Sequence, residues 1–253
     1  MNHFFKTVIT FSIFFHLSFL SAFEIESLSE YAYMDAIAVQ ADTDKGSFYH
    51  DYTRVYSNYF KDLRDQPIRF LEIGIYKGNS VKLWETYFSQ AELHFIDINK
   101  QYIEYYSSRS HYHYVNQENI KDLQKFARSV DGKFDVIIDD GGHTMKQQIN
   151  SLKALFPYVK SGGMYIIEDI HTSYWKDWDK HYGSNTTNPL KAESGTTIDF
   201  LKGLIDSVNA VGAKSTKANY SLVPANIESN LTFWEKNVRS MHFYDSICII
   251  IKR

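Results

Sequence analysis

A chain of 253 residues with 44% hydrophobic and 16% aromatic side chains can bury one sizeable core, and no Pro/Gly/Ser-rich linker divides it. Its 12 Gly and 4 Pro exclude a low-complexity or disordered chain. The 27 basic and 30 acidic residues give a formal net charge of −3 without a dense Lys/Arg cluster, which argues against a nucleic-acid partner and for a small molecule.

Residues 1–6 carry a weak positive charge, residues 7–23 are almost wholly apolar, and charged sequence resumes at Glu24. This layout predicts a secretory signal peptide over 1–23, with Ser21 and Ala22 near the cleavage point. An uncleaved membrane anchor and a plain hydrophobic helix are the alternatives, since the run is slightly short for a span. A working leader implies a secreted, periplasmic or membrane-enclosed protein; without one the protein is cytoplasmic. In a eukaryotic secretory route, Asn185, Asn219 and Asn230 each head a glycosylation triplet.

Residues 24–253 read as one domain whose first part, 24–66, is a polar and aromatic helical cap. It holds helical stretches at 31–39 and 52–63, joined by the loop Ala41-Asp-Thr-Asp-Lys-Gly-Ser. Alternation then begins: a strand at 68–73 closed by Gly74, a helix at 80–88, a strand at 93–98 and a helical run near 100–107. A weaker strand at 113–115, a helix at 120–129 and a strongly apolar strand at 134–138 follow. An amphipathic helix at 145–159, with Ile149, Leu152, Leu155 and Phe156 on one face, ends at Gly162-Gly163 before a strand at 164–167. An aromatic loop at 172–188, a helix at 197–208 and a closing pair of strands at 230–235 and 241–251 complete the chain. Such alternation implies βαβ units and a parallel sheet with both faces covered. The lone cysteine, Cys248, lies in an apolar strand without a nearby histidine and reads as structural.

In a doubly wound sheet, ligands bind at the carboxyl ends of the strands. Here those ends are Glu72-Ile-Gly74-Ile-Tyr-Lys-Gly78, then Asp97, then Asp139-Asp140-Gly-Gly-His143, and last Glu168-Asp169. Gly74 and Gly78 allow the backbone to approach a ligand closely, and an acid at Asp97 suits ribose hydroxyls, although a tight strand-to-helix turn explains the glycines equally simply. Asp140, Glu168 and Asp169 form a hard oxygen donor set suited to Mg²⁺. His143, at the start of the next helix, is placed to accept a hydroxyl proton or to make a plain local hydrogen bond. His111 and His113 share one strand face with no acidic or cysteine partner and read as local structure.

The stretches Phe70-Leu-Glu-Ile-Gly, Ile138-Asp-Asp-Gly-Gly-His-Thr and Ile167-Glu-Asp-Ile-His-Thr-Ser-Tyr-Trp together resemble the macrocin/mycinamicin sugar O-methyltransferase family. Cephalosporin-hydroxylase-like proteins share much of this pattern. Thr43-Asp-Lys-Gly-Ser and Met241-His-Phe-Tyr-Asp-Ser extend the likeness over residues 42–253. The resemblance implies a Rossmann-like, doubly wound, mostly parallel seven-stranded sheet with helices on both faces and a C-terminal antiparallel strand. It implies S-adenosylmethionine and Mg²⁺ as cofactors and a small-molecule or glycan hydroxyl as acceptor. Glu72 and the Gly74–Gly78 turn are then expected at the methionine part of the cofactor, Asp97 at the ribose, Gln117 near the adenine and Asp139 at the pocket border. Asp140, Glu168 and Asp169 are expected to ligate Mg²⁺, and His143 to act as general base. Gly142 stands where a serine is common in the family, with little consequence expected.

Two other classes compete. A nicotinamide-dependent oxidoreductase or epimerase is opposed by the missing Gly-x-Gly-x-x-Gly turn, and a non-catalytic secreted carbohydrate-binding protein by the intact acid and histidine set. The aromatic loop around Tyr174-Trp-Lys-Asp-Trp suits either covering a sugar or packing a lid.

Overall fold

Val136-Ile-Ile138 and Tyr165-Ile-Ile167 are almost wholly apolar, which suits strands with no solvated face, and all six residues are fully buried in inner strands of one sheet. A computed structural model describes residues 29–175, 191–215, 222–227 and 230–253. They fall into two units, divided between Leu63 and Arg64. The predicted leader lies outside the described residues, as do Asn185, Asn219 and all of the aromatic loop from 176 to 188. Among the described residues no helix is long and apolar enough to cross a membrane.

The first unit holds helices α1 (Glu30–Gln40) and α2 (Tyr52–Phe60). The Ser29 hydroxyl caps α1 by accepting from the Ala32 amide at 3.2 Å. Asp35 accepts from the Ser47 amide, the Ser47 hydroxyl and the Thr53 hydroxyl at 2.8, 2.7 and 2.9 Å, which orders the turn between the helices.

The second unit runs β1 (Arg69–Ile73), α3 (Asn79–Tyr87), β2 (Glu92–Asp97), β3 (Ser110–Tyr114), α4 (Ile120–Ser129) and β4 (Phe134–Asp139). It continues through α5 (Met145–Leu155), β5 (Val159–Ile167), α6 (Thr197–Lys214), α7 (Phe233–Asn237), β6 (Val238–Tyr244) and β7 (Ile247–Lys252). The sheet order is β3-β2-β1-β4-β5-β7-β6. Pairing is parallel from β3 to β5, and β7 is antiparallel to both β5 and β6. This is the mostly parallel seven-stranded sheet with an antiparallel C-terminal strand that the resemblance implies. Strand order reverses between β1 and β4, so their carboxyl ends flank a switch point where a ligand crevice forms. Cys248 is fully buried in β7, and burial pushes its thiol pKa up, consistent with a structural role.

Four local expectations need correction. Residues 100–107 form turns rather than a helix: Asn99 accepts from the Gln101 amide at 2.7 Å, and the Glu104 and Tyr105 amides go to the Lys77 carbonyl at 3.1 Å each. Those amides are thereby unavailable to a helical ladder. The helix from Met145 stops at Leu155, where Pro157 removes a donor and a short 3₁₀ turn follows. Gly162 and Gly163 then lie inside β5, not at a helix end. Residues 233–235 belong to a helix, Phe233–Asn237, where a strand was expected over 230–235, because Thr232 and Glu235 form a capping box. Finally, α6 runs on past Val208 to Lys214.

Candidate active site

The first strand end is held from beneath. Glu72 is completely buried and accepts from the Ser80 hydroxyl at 2.7 Å and the Trp84 indole at 2.9 Å, both on α3. It therefore anchors α3 to β1 and sets the glycine turn between them. Gly74 and Gly78 have φ of +101° and +89°, the region only glycine enters cheaply. A side chain at Gly74 is also excluded by packing, since its Cβ would lie 1.9 Å from the Asp140 carbonyl oxygen. The turn and the segment after β4 are thus in backbone contact. Asp97 faces the same turn, accepting from the Ile75 and Tyr76 amides at 3.0 and 3.2 Å.

Beneath the loop after β4 lies a buried polar network. Gln117 donates to Asp139 Oδ1 at 2.5 Å and accepts from the Gly142 amide at 3.1 Å. Ser151 and Tyr165 both donate to Asp139 Oδ2. Burial raises the Asp139 carboxyl pKa to about 6 against these stabilising donors. Burial and the neighbouring carboxylate push the Tyr165 hydroxyl up as well. Gln117 and Asp139 therefore support the Gly141-Gly142 backbone as a unit.

Above that support, Asp140, His143 and Asp169 converge, with one ligand atom from each lying within 4.8 Å of the others. His143 Nε2 is 3.4 Å from Asp169 Oδ2 and 3.9 Å from Asp140 Oδ1. All three side chains are partly buried. His143 Nδ1 is fully buried and meets no hydrogen-bond partner among the described residues. Two nearby carboxylates repel each other, so the arrangement favours a cation between them. Glu168 lies outside this group: it is 1% exposed, and its carbonyl accepts from Gln148 at 2.9 Å. Of the four residues expected at the metal and base, the structure gathers three. Thr172 was not singled out from the sequence; its hydroxyl donates to the His143 carbonyl at 3.0 Å and ties the two loops together. The only signal for it was its place in Ile167-Glu-Asp-Ile-His-Thr.

Sheet order, glycine turn and acidic strand ends are those of a Rossmann-like sheet, and residues 71–170 match the family described as "Methyltransferase domain". The chain is a homologue of the macrocin/mycinamicin-type sugar O-methyltransferases. It is 30% identical over 218 residues to mycinamicin VI 2''-O-methyltransferase of Micromonospora griseorubida, covering 83% of this chain and 50% of that protein. With L-olivosyl-oleandolide 3-O-methyltransferase of Streptomyces antibioticus it shares 35% identity over 186 residues, 70% of this chain and 46% of that one. The solved structure of MycE methyltransferase in complex with Mg and SAH matches with a TM-score of 0.71 at 29% identity, covering 87% of this chain and 53% of MycE. The chain spans about half the length of the curated relatives it matches.

Proposed function

We propose that the chain transfers a methyl group from S-adenosylmethionine to a hydroxyl of a sugar or glycosylated small molecule, with Mg²⁺ assistance and His143 as base. The observation carrying this reading is the convergence of Asp140, His143 and Asp169 beside the glycine turn. Two carboxylates are a hard donor set of the kind Mg²⁺ prefers. The buried, unpartnered His143 Nδ1 is a polar atom left over for a further ligand. Relatives agree: MycE has been solved with Mg and SAH, and also with Mg, SAH and mycinamycin VI.

Asp140 and Asp169 would hold the metal, with Glu168 as the third carboxylate of the expected set. The Gly74–Gly78 turn and Asp97 would hold the cofactor. When bound, S-adenosylmethionine supplies an electrophilic methyl group and Mg²⁺ makes a nearby hydroxyl more acidic. His143, whose Nε2 lies 3.9 Å from Asp140 and 3.4 Å from Asp169, would accept the hydroxyl proton. Backbone contact between Gly74 and Asp140 keeps the donor side and the proton-accepting side at a fixed spacing.

Calorimetric titration with S-adenosylmethionine, with and without Mg²⁺, is expected to show saturable binding at one site per chain. Absence of binding in both conditions would overturn the proposal. Asp140→Ala should abolish methylation of a glycoside acceptor while cofactor affinity persists. His143→Ala should lower turnover by about 10²–10⁴-fold without loss of Mg²⁺ binding; near wild-type turnover would remove His143 as the base.

A further inference from the structure

Asp169 leaves the end of β5 with each carboxylate oxygen near a different imidazole. Its Oδ2 lies 3.4 Å from His143 Nε2, and its Oδ1 lies 3.9 Å from Nδ1 of His171. The same His171 nitrogen pairs with the Ser246 hydroxyl, on the turn joining β6 to β7. A backbone bond runs beside that pair, the Ile170 amide donating to the Ser246 carbonyl at 3.1 Å. Asp169 and Ser246 have φ of +54° and +65°, left-handed conformations that a non-glycine residue keeps only where its surroundings hold it. The Trp175 ring packs 4.6 Å from that of His171. Two adjacent ties thus join the segment after β5 to the hairpin, and one of them ends at the nitrogen beside Asp169.

We infer that His171 is a positioning residue: its Nδ1–H, seated on Ser246, orients the Asp169 carboxylate so that Oδ2 is presented to the cluster with Asp140 and His143. The inference rests on the reading of that cluster as a metal site. Proton bookkeeping carries it. An ionised carboxylate only accepts, so the ring nitrogen beside it is favoured as a donor, whereas a hydroxyl either donates or accepts. Ser246 therefore takes the accepting role, and the neutral imidazole holds its proton on Nδ1. At 3.9 Å the pull on Asp169 Oδ1 is electrostatic rather than a direct hydrogen bond. Its direction is fixed because the Ile170 bond anchors the turn that carries Ser246. Outer partners of this kind hold metal-binding side chains in one orientation, and their loss commonly weakens metal affinity by roughly 10–100-fold.

Two readouts on the full chain test this. Long-range proton–nitrogen NMR of the unsubstituted protein should show His171 protonated on Nδ1; an unprotonated Nδ1 would overturn the inference. Mn²⁺, a paramagnetic substitute for Mg²⁺, is then titrated by EPR in the presence of SAH. His171→Ala should weaken Mn²⁺ binding tenfold or more, and His171→Asn, whose side-chain amide reaches the Nδ1 position, should restore it to within threefold. Ser246→Gly removes the hydroxyl without backbone strain, since glycine adopts this φ freely, and should weaken Mn²⁺ binding at least threefold. SAH affinity by calorimetry should stay within threefold in all three variants. Unchanged Mn²⁺ affinity in His171→Ala or Ser246→Gly, or no restoration by asparagine, would sink the inference. An equal loss of SAH affinity would do so too, since it marks general damage to the fold. Absence of Mn²⁺ binding by the unsubstituted protein removes the metal reading of the cluster and this inference with it, whereas absence of SAH binding there removes the methyltransferase reading itself.

Discussion

His143 and Asp169 both have φ of +54°, a left-handed conformation that costs a non-glycine residue about 1 kcal/mol or more. Both belong to the cluster at the sheet edge, and Thr172 bridges their loops through the His143 carbonyl. The strain is held there by surrounding hydrogen bonds, as is common where side chains must be aimed rather than merely packed. Gly74 is the neighbouring fixed point. Gly74→Ala combines an unfavourable φ with overlap against the Asp140 carbonyl, and should destabilise the protein by about 2–4 kcal/mol in urea unfolding. A loss below about 1 kcal/mol would show that the turn does not press on Asp140. At Gly142, a Cβ would lie 2.3 Å from Gln147 Oε1, so the serine common in the family requires Gln147 to move.

Gln147 matters because it completes the cap of α5. Thr144 accepts from the Gln147 amide at 3.2 Å, and Gln147 Oε1 accepts from the Thr144 amide at 3.1 Å. Thr144→Ala should cost about 1 kcal/mol in urea unfolding, and because Thr144 follows His143 it should also slow turnover. Turnover unchanged alongside lost stability would separate the cap from the site. Elements of this kind were legible where their signal is local: α4 begins and ends as its periodicity predicts, and the apolar runs of β1, β2 and β4 fall within a residue or two of their strands. The capping box at Thr232 was equally local, but the apolar residues around it were read as a strand. The turns at 100–107 were not legible, because their amides are satisfied by Lys77, more than twenty residues earlier.

Across the whole fold, the acidic strand ends were readable because each is a contiguous motif and parallel topology collects them at one edge. The pairing of His171 with Ser246 was not, since the two lie 75 residues apart. The histidine cluster on β2 and β3 is another long-range product. His94 Nδ1 is 3.1 Å from His113 Nε2, and His94 stacks on His111. Burial lowers the pKa of His113 from 6.5 to about 4 and that of His94 in the same direction. The unfolded chain binds these protons more readily, so stability should be intact above pH 6.5 and fall progressively as pH drops through 4. Urea midpoints measured against pH should show this acid limb, shallower in His113→Phe; an identical slope would assign it to other groups. One consequence follows from β7 running against its neighbours. Asp245 and Ser246 form the two-residue hairpin turn between Tyr244 and Ile247, and Ser246 accepts from the Ile170 amide at 3.1 Å. Substitutions at this two-residue tip would therefore reach the segment after β5 through Ile170 while leaving the Gly74–Gly78 turn after β1 in place.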